Sequence, residues 1–193
     1  MINWSSESFH PVVNLPKNYK VLDLTKGLWD SGNSEFSIGR YNEHRPNVYS
    51  MEIFEGVRNI HVGIDIGGPV GTPCMAFMNG KIHSFGYNSK PGDYGNVIIT
   101  EHEVSGTKIW ALYGHLDSSS IVGISKGQFV SKGEKIANFG NEDENGGWEP
   151  HLHFQLSLVE PETHDLPGVV SIAERSIALK LYPDPRFVLG PIY

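Results

Sequence analysis

Polar and apolar residues alternate most cleanly in Trp148-Glu-Pro-His-Leu-His-Phe-Gln-Leu156. His151, His153 and Gln155 fall on one side, and Leu152, Phe154 and Leu156 on the other. A period of two marks a half-buried strand. Two imidazoles two positions apart on a strand stand roughly 6–7 Å apart at the backbone, so both can reach one metal ion or one substrate atom. From residue 60 to 158 short β-branched runs recur at 97–100, 108–112, 129–130, 135–139 and 151–156, divided by Gly, Pro, Asn and Asp. That spacing predicts an all-β sandwich or barrel.

The two ends read differently. Residues 1–57 hold Pro11, Pro16, Gly32 and Pro46 and little periodicity. They are expected to form an irregular extension packed on the core, with short strands at 19–24 and 48–54. Residues 58–158 form the β domain, and 159–193 a C-terminal extension. Within that extension the spacing of Ile172, Ile177 and Leu181 predicts one short helix over 170–180, lying on the outside of the sheet and ended by Pro183 and Pro185. Two stretches, 70–83 and 127–140, resemble each other weakly. Each is a glycine-led turn before a short strand that passes an apolar pair inward. The second, Val130-Ser-Lys-Gly-Glu-Lys-Ile-Ala137, is similar to the hammerhead turn of barrel-sandwich carriers. It lacks an Asp-Lys-Ala tip, which disfavours a lipoyl or biotin carrier.

Composition narrows the partners. The 193 residues are enough for one domain with a real core. A net charge of −7 without a Lys/Arg stripe disfavours nucleic acid and anionic membrane surfaces. The single cysteine, Cys74, excludes an intrachain disulfide and a cysteine zinc knuckle, and beside Pro73, Met75 and Ala76 it reads as a small buried filler. No run approaches the ~18 apolar residues that span a bilayer. The N-terminal residues lack the basic and apolar regions of an export signal, so the expectation is a soluble, cytoplasmic protein.

Three separated segments carry the chemistry: His61-Val-Gly-Ile-Asp65, Tyr113-Gly-His115-Leu and His151-Leu-His153. Three His or carboxylate ligands plus water make a catalytic zinc site. On a straight strand, positions 61 and 65 would lie about 13 Å apart, too far for two ligands each about 2 Å from one ion. The chain must therefore bend, and Gly63 is where it can. The pattern alone does not say which of His151 and His153 ligates and which flanks the water. His115, closing a strand after Gly114, can project into the same cleft. His10, His44, His83, His102 and His164 are expected to be structural or exposed.

These residues resemble the signature of the lysostaphin-type, or LytM-type, zinc metallopeptidases: His-x-Gly-x-Asp, Gly-His-Leu and His-Leu-His in that order. Gly71-Thr-Pro-Cys-Met-Ala76, Tyr94-Gly-Asn-Val-Ile-Ile99 and Val130-Ser-Lys-Gly-Glu-Lys-Ile136 extend the likeness, while Gln155 stands where a Glu often follows His-Leu-His-Phe. The resemblance implies zinc held by His61, Asp65 and His153, with His115 and His151 as the catalytic pair. It implies a mainly β fold, the antiparallel sandwich or barrel-sandwich shared with glucose-permease phosphocarrier domains, and hydrolysis of cell-wall peptide bonds. A narrower similarity joins Gly39-Arg-Tyr-Asn-Glu-His-Arg45, Glu144-Asn-Gly-Gly-Trp148, Pro167-Gly-Val169 and Tyr182-Pro-Asp-Pro185 to a peptidase-like module fused to class III aminotransferases and small-molecule kinases. The expected substrate is a peptide, muropeptide or small amide. Arg40, Tyr41 and Arg45 are read as its wall, the guanidinium groups facing a carboxylate; a solvated loop is the other reading. Two further readings stand beside the hydrolase: a catalytically silent binding domain that retains zinc, and a phosphocarrier, which Asp65 as a ligand disfavours.

Overall fold

A computed structural model describes residues 2–27, 32 and 34–193. The strands are β1 (Lys20–Val21), β2 (Ser37–Gly39), β3 (Glu43–His44), β4 (Arg58–His61), β5 (Ile64–Gly67), β6 (Pro73–Met75), β7 (Gly80–Asn88), β8 (Gly95–Val104), β9 (Thr107–Leu116), β10 (Phe129–Val130), β11 (Lys135–Asn138), β12 (His151–Ser157) and β13 (Val169–Ser171). Two short helices follow, α1 (Arg175–Leu181) and α2 (Arg186–Leu189). The expectation of a mainly β fold with a short C-terminal helix holds.

The main sheet runs β1-β2-β5-β12-β9-β8-β7-β10, antiparallel except between β1 and β2. Its inner face carries Ile64, Ile66, Ile98, Tyr113, Leu152, Phe154 and Leu156, which meet Phe77, Ile82 and Phe139 in one buried cluster. β6 pairs with β11, and β13-β4-β3 makes a third small sheet. The two weakly similar stretches prove to be partners: β11 lies against β6 with Ala137 opposite Cys74, and β10 against β7 with Val130 opposite Gly80. Cys74 is fully buried there, and burial raises its thiol pKa. Among the described residues no helix is long and apolar enough to cross a membrane.

Four local readings change. β12 is buried on both faces: His151 and His153 lie in the cleft, and Gln155 is covered by the 159–169 loop at Pro167. The stretch 48–54 is not a strand but a turn leading into a single 3-10 turn at Glu52–Phe54, where Phe54 leaves any pairing register to meet Tyr49 and Trp148. The helix begins later than its apolar spacing suggests, since Val169 and Val170 are taken as β13 by His61 and Ile60 of β4. Ser171 and Glu174 then bond reciprocally, Ser171 N to Glu174 Oε2 at 2.9 Å and Glu174 N to Ser171 Oγ at 3.3 Å. These bonds have the pattern of a capping box and close the turn that leads into α1; Ile172 and Ile177 end up 62% and 61% exposed while Ala178 packs with Ile60, Val62 and Val170. The N-terminal extension is also part of the sheets: β2 lies directly beside β5, and β3 beside β4.

Candidate metal centre and catalytic cleft

Strand order brings the separated motifs together. β12 lies between β5 and β9, and its His153 is opposite Asp65 on one side and Gly114 on the other. His61 arrives from the small sheet. The chain leaves β4 after His61, bends through Val62 and Gly63, and enters the main sheet as β5. Gly63 also provides space: a Cβ there would lie 2.4 Å from His153 Cε1. His115, the last residue but one of β9, has φ +64°, a left-handed conformation that costs a non-glycine residue about 1–2 kcal/mol.

Three atoms converge. His61 Nε2 is 3.1 Å from Asp65 Oδ1, His153 Nδ1 is 3.0 Å from the same oxygen, and the two nitrogens are 3.0 Å apart. The outer partners set the tautomers. His61 Nδ1 donates to the Arg40 carbonyl at 3.0 Å, and His153 Nε2 donates to Gln155 Oε1 at 3.0 Å. Gln155 Nε2 in turn donates to the Pro167 carbonyl at 3.4 Å, which aims its oxygen at His153. In neutral rings so held, His61 Nε2 and His153 Nδ1 carry lone pairs. Two lone pairs and a carboxylate oxygen thus face one another at 3.0–3.1 Å in a buried place, a repulsive arrangement that a cation reverses. Ligands 2.0–2.1 Å from a tetrahedral zinc stand about 3.3 Å apart, so the donor set fits that ion. His61, Asp65 and His153 form the buried ligand-type group found among the described residues.

Electrostatics agree. Burial presses the Asp65 pKa upward, but His61 and Arg45 outweigh it and hold the carboxyl well below its usual range. Burial, with Arg45 adding, pushes His61 down to about 4, so the ring is neutral at pH 7. His115 and His151 pack together beside the triangle, tilted by 36° with centroids 4.2 Å apart. Burial lowers both pKa values, and for His115 the neighbouring His151 adds to the effect. Each donates Nδ1–H to a backbone carbonyl, His115 to Asn145 at 2.7 Å and His151 to Glu149 at 2.6 Å. The basic atom of each neutral ring is therefore Nε2, and in His151 it lies 3.8 Å from Asp65 Oδ1.

The rings line a cleft of about 1180 Å³. Tyr49, Phe54 and Trp148 make one aromatic wall, and the 159–169 loop makes the other. The proposed substrate wall is placed differently from the reading of the sequence. Arg40 and Tyr41 do not line the cleft: Arg40 pairs with Glu43 and Asp23, and Tyr41 OH donates to the Tyr182 carbonyl. Arg45 reaches the cleft floor, but at 1% exposure its guanidinium is engaged by Asp65 and Glu43. The remaining histidines lie elsewhere. His102 and His83 are buried, bonded to Thr100 and to Ser84 and Glu160, while His44 is exposed and His10 and His164 half-buried.

Three participants were not singled out by the sequence as site residues. Tyr94 packs its ring on His153 and His115 and donates its hydroxyl to the Leu166 carbonyl. Asn145, fully buried, supplies the carbonyl that holds His115. Gln155 orients His153. The paired glycines after Asn145, both at positive φ, were the visible signal of a specialised turn.

Residues 59–164, more than half of the chain, match Peptidase family M23. An uncharacterized metalloprotease of Haemophilus influenzae is 34% identical over 115 residues, covering 58% of this chain and 22% of that protein. The DD-carboxypeptidase/endopeptidase Mpg of Neisseria meningitidis is 31% identical over 126 residues, covering 63% and 26%. The peptidoglycan DD-endopeptidase ShyB of Vibrio cholerae is 32% identical over 117 residues, covering 58% and 25%. The chain thus spans about a quarter of the length of these relatives. In fold it is similar to the catalytic domain of lysostaphin from Staphylococcus simulans, with a TM-score of 0.54 and 24% identity over 81% of this chain and 93% of that one. All five converging residues, His61, Asp65, His115, His151 and His153, fall inside the matched segment, and the chain belongs to peptidase family M23.

Proposed function

We propose that the protein is a zinc-dependent hydrolase of peptide or amide bonds, acting on wall-type peptides. The observation that carries this reading is the buried triangle of three electron-pair donors 3.0–3.1 Å apart, with two oriented imidazoles beside it. Zinc, when bound, supplies Lewis acidity: it polarises a carbonyl oxygen and brings the pKa of water toward about 7.

The chain's own groups supply the rest. His61, Asp65 and His153 hold the ion. The Nδ1 bonds of His115 and His151 fix each ring's tautomer, with Nε2 as the basic nitrogen. Such a ring takes a proton from the attacking water and returns it to the leaving amine nitrogen. Once protonated, the same N–H donates to the oxyanion that develops on the carbonyl. Burial keeps both rings neutral and so competent as bases at pH 7.

The cleft is larger than the usual 300–1,000 Å³ of small-ligand pockets, which suits an extended peptide, and two of the relatives are named as endopeptidases. Three of the four segments that carry the narrower likeness to the module fused with aminotransferases and kinases hold site residues: Arg40 and Arg45 beside His61 and Asp65, Asn145 at His115, and Pro167 behind Gln155. That likeness therefore bears on how the site is held and leaves the substrate to experiment. Incubation of zinc-loaded protein with purified peptidoglycan and with cross-linked muropeptides, read by mass spectrometry, tests the reading. New amine and carboxyl termini that are absent with His115→Gln are expected. Intact substrates across peptides, muropeptides and small amides, with zinc bound, would favour the silent domain instead.

A further inference from the structure

The carboxylate of Asp65 has two oxygens, and the structure uses them differently. Oδ1 belongs to the triangle of donor atoms, while Oδ2 accepts from Arg45 Nη1 at 2.7 Å. Arg45 is tied on its other edges too. Its Nη1 also donates to Tyr49 OH at 3.0 Å, Nε to Glu43 Oε2 at 2.9 Å, and Nη2 to the Arg40 carbonyl at 3.2 Å. Four of the five guanidinium N–H donors are thereby committed. The Arg40 carbonyl is the same one that accepts from His61 Nδ1. One buried side chain therefore holds one of the three ligands directly and touches the partner of a second.

The backbone makes room for this pair. β2 runs beside β5 with Gly39 opposite Asp65. A Cβ at position 39 would lie 2.8 Å from Arg45 Nη2 and 3.1 Å from Asp65 Oδ2. Glu43, also buried, balances the guanidinium charge.

Resting on the reading of this site as a zinc centre, we propose that Arg45 is its positioning residue. It withholds Oδ2 so that Asp65 offers a single oxygen to the ion, and it braces the carbonyl that orients His61. A carboxylate so restrained leaves a coordination position for water, which a catalytic zinc site requires. The planar fork of arginine is needed, because lysine would keep the charge without holding Asp65, Glu43 and the carbonyl together.

The test compares the wild type, Arg45→Lys and Gly39→Ala as full chains. The readouts are zinc affinity by chelator competition and the visible absorption of the cobalt(II)-substituted proteins, which reports coordination number and geometry. The wild type should bind zinc and give the strong bands of four-coordinate cobalt. Arg45→Lys should bind zinc about 10–100-fold more weakly, with weakened cobalt bands as the second carboxylate oxygen joins the metal. Gly39→Ala, which keeps both charges and wedges the pair apart, should shift affinity and bands in the same direction, and it reads the same contact if Arg45→Lys folds poorly. Circular dichroism of the metal-free proteins separates these losses from unfolding. Wild-type affinity and wild-type cobalt bands in both variants would overturn the role of Arg45 alone. A wild type that binds neither metal would overturn the zinc reading as well.

Discussion

An alanine at position 63 would place its Cβ 2.4 Å from His153 Cε1 and 2.5 Å from Nε2. Non-bonded carbon contacts settle at about 3.5–4.0 Å, so the imidazole must retreat by roughly 1 Å. Tyr94 stands against that ring at 5.2 Å between centroids, and Gln155 holds its Nε2–H. The retreat therefore breaks the 3.0 Å approaches of Nδ1 to Asp65 and His61. Overpacking of this kind costs about 1–3 kcal/mol. Falling on the metal-bound geometry, that is a roughly 5- to 150-fold weaker zinc dissociation constant, at tenfold per 1.4 kcal/mol. Without metal, His153 is released from the triangle and can turn away, so the fold loses less than the site. Gly63 has no left-handed backbone that would add its own strain. Zinc affinity by competition with a chromophoric chelator, set beside thermal unfolding of the chelated protein, measures the two effects separately. Parent-like zinc affinity in Gly63→Ala, or equal losses of affinity and of metal-free stability, would refute the steric argument.

Other outcomes follow from single contacts. His115→Gln and His151→Gln should each lower hydrolysis by about 10²–10⁴ while zinc content stays that of the parent; full activity in either would remove that ring from the chemistry. Gln155→Leu leaves the His153 Nε2–H without its acceptor. A buried unpaired donor costs about 1–3 kcal/mol, so zinc should bind more weakly, whereas Gln155→Glu keeps an acceptor and should hold zinc; equal affinities for Leu and Glu would contradict this. His102, remote from the metal ligands, has its pKa pushed down to about 4, chiefly by burial. Between pH 6.5 and 4 the unfolded chain takes up a proton that the folded ring refuses, so stability falls as pH drops, by about 3 kcal/mol at the lower end. Urea unfolding of the chelated protein at pH 7.5 and 4.5 should show a smaller loss for His102→Gln than for the parent, and identical losses would exclude the assignment.

How much of this was legible beforehand follows the physics of each signal. The alternation around His151 and His153 places both rings on one face of β12, because side-chain period is local information. The need for a bend at Gly63 was also local. What the bend does was not: it carries the chain from one sheet into another, and the missing side chain makes room for His153. Strand order, which sets β5 and β9 on either side of β12, has no counterpart in residue spacing. Arg45 does line the cleft, but a guanidinium engaged by a buried carboxylate looks the same in sequence as one facing a ligand. Ile172 and Ile177 keep helical spacing yet stay exposed, because the turn closed by Ser171 and Glu174 and the pairing of Val169 and Val170 with β4 set where the helix starts.

The central claim is that His61, Asp65 and His153 form a zinc site. Metal content per chain, measured by atomic emission after dialysis against trace zinc, tests it most directly when the parent is compared with Asp65→Ala. The account predicts about one zinc per parent chain and almost none in a variant that is folded by circular dichroism. A metal-free parent, or an Asp65→Ala protein that retains a full complement of zinc, would contradict it.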